Sequence, residues 1–254
     1  MNPITFVLFL FVFLYGIVIG SFLNVLIYRL PNGEDIVLKR SHCMKCGYIL
    51  KWYDLIPIIS FLLLKGKCRK CNDKISLQYP MIELLNGIFY LLIFYIKGFH
   101  ITSIIYCLFV STLIVISIID WNTFEIPIGL NYFIFLLGII ILVINIENWI
   151  PHVIGFFAIS GFLFIIYLCS KGRAIGGGDI KLMAVCGFLL GFKLIILSFI
   201  LGCIFGSVIH LIRMRISNQD NRLAFGPYLC FGMFLALLFG NQLISWYFNL
   251  LMIS

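Results

Sequence analysis

Long runs of apolar residues, separated by short polar segments, make up most of this chain. Seven of these runs are long enough to cross or nearly cross a lipid bilayer. They cover residues 4–28, 81–96, 101–119, 126–146, 149–169, 194–212 and 223–239. An eighth and shorter run, residues 180–190, begins at a glycine-rich turn. The pattern predicts an all-α polytopic membrane protein with about eight transmembrane helices.

The composition supports the same class. Of the 254 residues, 63% are hydrophobic and 11% are charged, and the mean hydropathy is +1.13. A soluble domain of this length could not bury so much apolar surface. The first apolar run lacks a basic start and a cleavage site of small residues, so we expect a retained helix rather than a removed signal peptide.

One long polar segment, residues 29–80, carries ten Lys and Arg residues against four acidic ones. Its net charge of +6 accounts for most of the +8 of the whole chain. Basic residues collect in cytoplasmic loops and are attracted to anionic lipid headgroups, which explains this charge better than a dedicated anionic ligand does. We therefore expect this loop to be cytoplasmic.

Strict alternation of the spans then places six further basic residues on the cytoplasmic side and leaves only Lys97 and Lys193 outside. The six are Lys171, Arg173, Lys181, Arg213, Arg215 and Arg222. The same alternation brings Asp120 and Asp179 to the cytoplasmic face, although neither residue was used to set the orientation.

Asp120 and Asp179 each lie at the end of a separate apolar stretch. A carboxylate beside a membrane span is costly and is usually functional. Two carboxylates held together can share a proton and activate water, as in aspartic proteases. The glycines at 176–178 allow tight turns and close approach of a substrate just before Asp179. Glu125 is a poorer candidate than Asp179 for the partner of Asp120. A residue before Pro127 in a polar turn is expected to be solvated or to start a helix.

Two C-x-x-C motifs lie in the basic loop, Cys43 to Cys46 and Cys68 to Cys71, with 21 residues between them. Four thiolates from two such turns can close a tetrahedral shell around a structural zinc ion. Two disulfides are the alternative, but a cytoplasmic loop is in a reducing compartment, which favours zinc. The stretch 52–61 between the motifs is too short to span and is expected to lie at the membrane surface.

Several sequence blocks, in order, resemble the motifs of the type IV prepilin leader peptidase/N-methyltransferase family. They are residues 20–31, the two C-x-x-C motifs, residues 52–57 and 79–85, the Asp120 segment, residues 176–182 and residues 225–228. Together they extend over nearly the whole chain. The Asp120 segment departs from the family pattern directly after Pro127. Ile128 stands there in place of the usual Asp or Asn.

The resemblance implies a bifunctional enzyme of the bacterial inner membrane, with its active site and long loop facing the cytoplasm. Such enzymes are GxGD aspartyl proteases that cut the leader of prepilins and pseudopilins after a glycine. They then methylate the new N-terminal amine with S-adenosylmethionine. The resemblance makes Asp120 and Asp179 the catalytic dyad.

Glu83 is the candidate for contacting S-adenosylmethionine or the substrate amine. A helix N-terminal acid favoured by the macrodipole explains Glu83 equally well. Asn24 and Arg29, at the end of the first apolar run, could support the same face.

These expectations divide the chain into three regions. Residues 1–28 form the first transmembrane helix, residues 29–80 form the cytoplasmic loop with the zinc site, and residues 81–254 form the transmembrane protease core. The expected partners are prepilin or pseudopilin substrates and the lipid bilayer, with no nucleic acid.

Two other classes of protein share some of these features. A proton-coupled transporter also uses intramembrane carboxylates, but such proteins normally show repeated halves, which this sequence does not. A membrane-tethered zinc-ribbon binding protein would explain the basic loop and its cysteines, yet it would leave the paired aspartates without a purpose.

Overall fold

A computed structural model describes residues 2–216 and 224–252; Arg222 and Leu223, used above for orientation and for the last span, lie outside the described residues. Nine α-helices occur in the described part. They are α1 (Pro3–Arg29), α2 (Ile59–Leu63), α3 (Gln78–Lys97), α4 (Ile101–Thr123), α5 (Ile128–Ile144), α6 (Trp149–Cys169), α7 (Gly177–Leu190), α8 (Phe192–Ile216) and α9 (Gly226–Met252).

Each of the eight predicted membrane segments is mainly helical where it is described. Six of the resulting helical segments are long and apolar enough to cross a membrane, whereas α5 and α7 have only 17 and 14 residues. The protein is therefore an all-helical, multi-pass membrane protein, as the sequence predicted. Helix α4 extends four residues beyond the predicted apolar run, so Asp120 lies in its last turn rather than in a connecting turn.

The helices fall into two compact units, and the division lies between Val115 and Ile116, within α4. In the first unit α1 packs along α3. A Cβ atom on Gly16 would lie 2.8 Å from the Cα of Gly87, and one on Gly20 would lie 2.7 Å from the Cα of Glu83. Small residues let two backbones approach closely, which is how helices associate in a membrane. Close packing at Gly20 therefore fixes the position of Glu83 against α1.

A buried chain of hydrogen bonds joins three helices of this unit. The side-chain amide of Asn86 donates to the carbonyl oxygen of Gly16 over 2.7 Å, and the Ser111 hydroxyl donates to Asn86 Oδ1 over 2.8 Å. The Tyr90 hydroxyl lies 2.9 Å from Ser111 Oγ. Each of these polar side chains is almost fully buried. Because the bilayer offers no water, such groups need partners within the protein.

The loop between α1 and α3 contains two small knuckles, each with one C-x-x-C motif, and little regular structure. An isolated β-bridge closes each knuckle, His42 with Ile49 and Lys67 with Lys74, and the described residues contain no longer strand. A 3₁₀-helix (Trp52–Leu55) and α2 lie between the knuckles. Trp52 and Leu63 are 78% and 77% exposed. This exposed apolar surface fits the predicted contact with the membrane surface.

The second unit contains the end of α4 and helices α5 to α9. Helix α7 packs between α5 and α6, and α8 packs along α9. The backbones of α6 and α7 touch where Gly155 meets Gly187, so neither position has room for a side chain. Gly191, at φ +82°, ends α7 and lets the chain turn directly into α8. These contacts anchor the C-terminal half of α7, whose first turn contains Asp179.

Substitution of Gly20 tests the close crossing of α1 and α3. We expect Gly20→Ala to lower the free energy of unfolding by about 1–3 kcal/mol, because the new methyl group would overlap the backbone of α3. The matched control is Gly161→Ala, at a helical position with nothing within 4 Å. Thermal unfolding in detergent measures both variants, and equal stability of the two would contradict the close crossing.

Candidate active site and metal centre

Asp120 is held by a backbone donor at the start of another helix. Its side chain is 95% buried, and Oδ2 accepts a hydrogen bond of 2.9 Å from the N–H of Gly226. A Cβ atom on Gly226 would lie 2.6 Å from the same oxygen. Only glycine leaves room for the carboxylate there, so the first residue of α9 both supplies the donor and makes space for the acceptor.

Asp179 lies in the first turn of α7, three residues after the N-cap Gly176. Its carboxylate accepts a hydrogen bond from the backbone N–H of Gly176. An acidic residue at position N3 of a helix commonly accepts a hydrogen bond from the N-cap N–H in this way. The bond satisfies one of the free backbone donors at the helix start. The helix macrodipole also favours a negative charge at this position.

The structure brings the two predicted carboxylates into one neighbourhood. The charges of Asp120 and Asp179 interact with each other, and both act on the buried thiol of Cys230 in α9. Two carboxyl groups in one site can activate a water molecule when one is ionised and the other is protonated. The other charged groups named from the sequence, Glu125 and Lys181, are exposed.

Two polar side chains of this unit were not singled out from the sequence. Asn131 in α5 and Tyr228 in α9 are each about 95% buried, yet the Asn131 amide and the Tyr228 hydroxyl have no hydrogen-bond partner among the described residues. Buried polar groups without partners are uncommon and often mark a place where water or a ligand binds. An amide within an otherwise apolar helix was the available sequence signal for Asn131.

The four loop cysteines meet in one cluster, and all four Sγ atoms lie within 4.8 Å of one another. Cys43 Sγ lies 3.9 Å from Cys71 Sγ, and Cys46 Sγ lies 4.0 Å from Cys68 Sγ. Tetrahedral zinc with Zn–S bonds of about 2.3 Å requires sulfur separations of about 3.8 Å. All four cysteines are free thiols. The donor set and its spacing therefore fit a four-coordinate metal ion with no open position.

Backbone donors prepare Cys68 for this role. Hydrogen bonds from the backbone N–H groups of Cys71 and Lys70 lower the pKa of the Cys68 thiol to about 6. Metals bind the thiolate rather than the thiol. On the outside of the cluster, Lys45 Nζ lies 2.9 Å from Asp73 Oδ1 and joins the first knuckle to the second.

The second knuckle is also tied to the segment between the knuckles. Arg69 lies between two cysteines of the cluster, and its Nε donates to Asp54 Oδ1 over 2.8 Å. The Asp54 side chain is 1% exposed and also accepts a hydrogen bond from the backbone N–H of Lys51. The Arg69 side chain is 47% exposed, but removing it would leave the buried Asp54 carboxylate without this charged partner, which is costly. The position of Asp54 therefore depends on the knuckle that holds Arg69.

Glu83 lies on the buried face of α3, in its second turn. Its Oε2 accepts a hydrogen bond of 2.8 Å from the backbone N–H of Ile58, and the Ser21 hydroxyl donates to the same carboxylate. Ile58 has φ 60° and ψ −51°, an unusual conformation for a β-branched residue. The N–H of Ile59 donates to the carbonyl oxygen of Pro57 across it, which makes a strained γ-turn.

Asn24 and Arg29 support the same region. The Asn24 amide donates to the carbonyl oxygen of Tyr79 over 3.2 Å, which ties α1 to the start of α3. Arg29 Nη1 donates to the carbonyl oxygens of Asp35 and Ile36 over 3.1 Å each. Arg29 is 94% buried, so it organises the start of the loop rather than acting only as an exposed membrane anchor.

Two family models match the chain, one in each half. The bacterial Peptidase A24 N-terminal domain matches residues 14–97, which include Glu83 and the four clustered cysteines. The type IV leader peptidase family matches residues 107–211, which include Asp120 and Asp179. A prepilin leader peptidase/N-methyltransferase of Bacillus subtilis (strain 168) is 33% identical over 94% of this chain and 97% of its own length.

The chain belongs to the type IV prepilin leader peptidase family. Relatives with the same name occur in Vibrio cholerae, 35% identical over 80% of this chain and 85% of the relative, and in Stutzerimonas stutzeri, 30% identical over 97% and 95%. No solved structure matches significantly. The family resemblance seen in the motifs is thus confirmed over nearly the full length of the chain.

A substitution at Gly226 tests the support of Asp120. We expect Gly226→Ala to reduce peptide cleavage about a hundredfold, because the methyl group would displace the carboxylate from its position. Gly129→Ala is the matched control, since a Cβ atom there would touch nothing within 4 Å. Initial rates on a prepilin peptide give the comparison, and a Gly226→Ala variant that cleaves as fast as the control would show that the contact is unimportant.

The cysteine cluster predicts one tightly bound zinc ion per chain. Protein purified without chelators should contain zinc, as measured by plasma mass spectrometry, and Cys68→Ser should lose it. Because ligand binding supplies folding free energy to a loop with little core, chelation should expose residues 43–71 to protease before the membrane helices unfold. Metal-free protein with an equally resistant loop would be evidence against a structural metal.

Proposed function

We propose that this chain cleaves the leader peptide of type IV prepilins or pseudopilins after a glycine and then methylates the new N-terminal amine. Its relatives in several bacteria are named prepilin leader peptidase/N-methyltransferase. The observation that carries the proposal is the pair of carboxylates, Asp120 and Asp179, whose charges interact in one site. Membrane topology and the zinc cluster agree with it.

Cleavage follows from the chemistry of two neighbouring carboxyl groups. One carboxylate, in its ionised form, takes a proton from water as the water oxygen attacks the scissile carbonyl carbon. The other, in its protonated form, donates to the carbonyl oxygen. When the tetrahedral intermediate collapses, the first carboxyl group gives the proton that it took from water to the leaving nitrogen, and the second recovers its proton from the former carbonyl oxygen. The C–N bond breaks, leaving a new carboxylate on the leader and a free amine on the mature protein. The pair acts as a unit, so the two roles are shared rather than assigned.

The surrounding backbone has a clear part in this mechanism. The N–H groups of Gly226 and Gly176 hold the two carboxylates without adding another charge. Such preorganised donors cost no rearrangement when charge moves during the reaction. The exposed Gly177, ahead of Asp179, leaves the approach to this carboxylate free of side chains.

Methyl transfer requires S-adenosylmethionine, which supplies a methyl group on a positively charged sulfur. Glu83 is the residue proposed to contact it or the substrate amine. A buried carboxylate suits either role, because both groups are cationic. The zinc ion is proposed to be structural, since four thiolates leave no position open for a substrate.

The protein is proposed to lie in the bacterial inner membrane with the loop of residues 29–80 and the dyad facing the cytoplasm. The distribution of Lys and Arg supports this orientation. Prepilins enter the same membrane with a short basic leader, so their cleavage site would meet the dyad at the cytoplasmic boundary. Thiol labelling of a cysteine placed at the exposed Lys65 in intact cells and in inverted vesicles tests the orientation.

The two activities should separate by mutation. Asp120→Asn and Asp179→Asn keep the side-chain volume but remove the ionisable pair, so cleavage should fall about a thousandfold or more. Methylation of a peptide that already has the mature N-terminus should survive. Mass spectrometry distinguishes the two products, because cleavage removes the leader and methylation adds one methyl group.

Glu125→Gln provides the control for these variants, because Glu125 is an exposed acid of the same segment. It should cleave at the rate of the unmodified protein. Cleavage at near-normal rate by either aspartate variant would refute the dyad, whatever the methylation assay shows.

A further inference from the structure

A cavity of about 540 Å³ lies where the loop of residues 29–80 meets the end of α1 and the start of α3. Its walls are mainly apolar and include the aromatic side chains of Tyr28, Phe61 and Tyr79. Small-molecule sites are typically about 300–1,000 Å³ in volume, with apolar walls and a few placed polar groups. All the lining residues belong to one compact unit, so the cavity is a property of that unit alone.

The acidic residues around this cavity are mostly paired, whereas two of its lining cations, Arg29 and Lys74, form no ion pair among the described residues. Four acidic residues line it, and three of them are in ion pairs: Glu34 with Lys39, Asp73 with Lys45 and Asp54 with Arg69. Glu83 is the fourth. Its hydrogen-bond partners are neutral, and no Lys or Arg among the described residues forms an ion pair with it.

We propose that this cavity binds S-adenosylmethionine, with the Glu83 carboxylate facing the positive sulfur and an aromatic wall receiving the adenine. The proposal rests on the methyl-transfer function proposed above and adds the location of its donor. A buried carboxylate without a cation of its own is costly, and a cationic ligand relieves that cost. Adenine is a flat aromatic group, which suits the tyrosine and phenylalanine side chains.

The γ-turn at Ile58 explains how the carboxylate is aimed. Its N–H donates to Oε2 of Glu83 across the edge of the cavity, and Ile58 itself is a lining residue. The segment is supported by Asp54, which is held by Arg69 of the second knuckle. Through this chain of contacts the metal cluster fixes one wall of the cavity. Loss of a knuckle cysteine should therefore impair methyl transfer more than cleavage.

The charge of the sulfur gives a direct test that does not depend on turnover. S-adenosylhomocysteine has the same adenosine and amino-acid groups but a neutral sulfur. We expect the full-length protein in detergent to bind S-adenosylmethionine more tightly, as measured by equilibrium dialysis. Glu83→Gln keeps a hydrogen-bond acceptor for Ile58 but removes the charge, so it should reduce this preference about tenfold or more.

Two further variants complete the test. Glu147→Gln makes the same change at an exposed residue outside the cavity and should leave the preference unchanged. Ser60→Phe adds side-chain volume inside the cavity and should weaken the binding of S-adenosylmethionine and S-adenosylhomocysteine by the same factor. Thermal unfolding of each preparation in detergent verifies that the variant is folded.

Several results would overturn the proposal. If Glu83→Gln keeps the full preference while the protein still methylates a mature-ended peptide, the donor binds elsewhere and the proposed function stands. If the unmodified protein neither binds the donor nor methylates that peptide, the methyl-transfer function itself fails. If Glu83→Gln leaves the preference intact and instead raises KM for uncut prepilin, the cavity receives the basic leader.

Discussion

Every carboxylate to which we assign chemistry accepts a hydrogen bond from a backbone N–H group. Asp120 is held by Gly226, Asp179 by the N-cap Gly176, and Glu83 by Ile58. Near a bilayer, water cannot solvate such groups freely, and a cationic side chain would neutralise the charge that the chemistry uses. A backbone donor stabilises the carboxylate while leaving it reactive. The close glycine contacts around these sites follow from the same need, because a donor that must touch a carboxylate cannot have a bulky side chain in the way.

The shared site of Asp120 and Asp179 and the cluster of four cysteines were predictable because their signals are local. Asp120 and Asp179 interrupt apolar stretches, and paired C-x-x-C motifs have few uses in a reducing compartment. The eight apolar segments were also recognisable, since lipid enforces helices of a certain length. Their ends were less accurate: α4 continues past Asp120, because nothing in the following residues up to Thr123 stops a helix. The roles of Asp120 and Asp179 in cleavage and of Glu83 in methyl transfer are proposals, and the geometry of the site supports them.

Contacts between distant parts of the chain could not be predicted in this way. Gly226 and Asp120 are 106 residues apart, and a glycine at the start of an apolar segment gives no sign that it will donate to that carboxylate. The conformation of Ile58 was equally unpredictable from the local sequence, because β-branched residues rarely adopt a positive φ. Only the presence of Glu83 in the folded structure makes that conformation stable. The cavity lined by Glu83 arises from the same long-range packing, so its existence was not visible in the sequence.

The γ-turn at Ile58 has a consequence for biogenesis. The loop between α1 and α3 leaves the ribosome before α3 does, and its knuckles can close as soon as the four cysteines have been synthesised. The turn cannot form at that stage, because the carboxylate that compensates for its strained backbone arrives with α3. We therefore expect the loop to mature in two stages, first by metal capture and then by insertion of the next helix into the bilayer. A nascent chain arrested before residue 83 would have its metal and lack its ligand cavity.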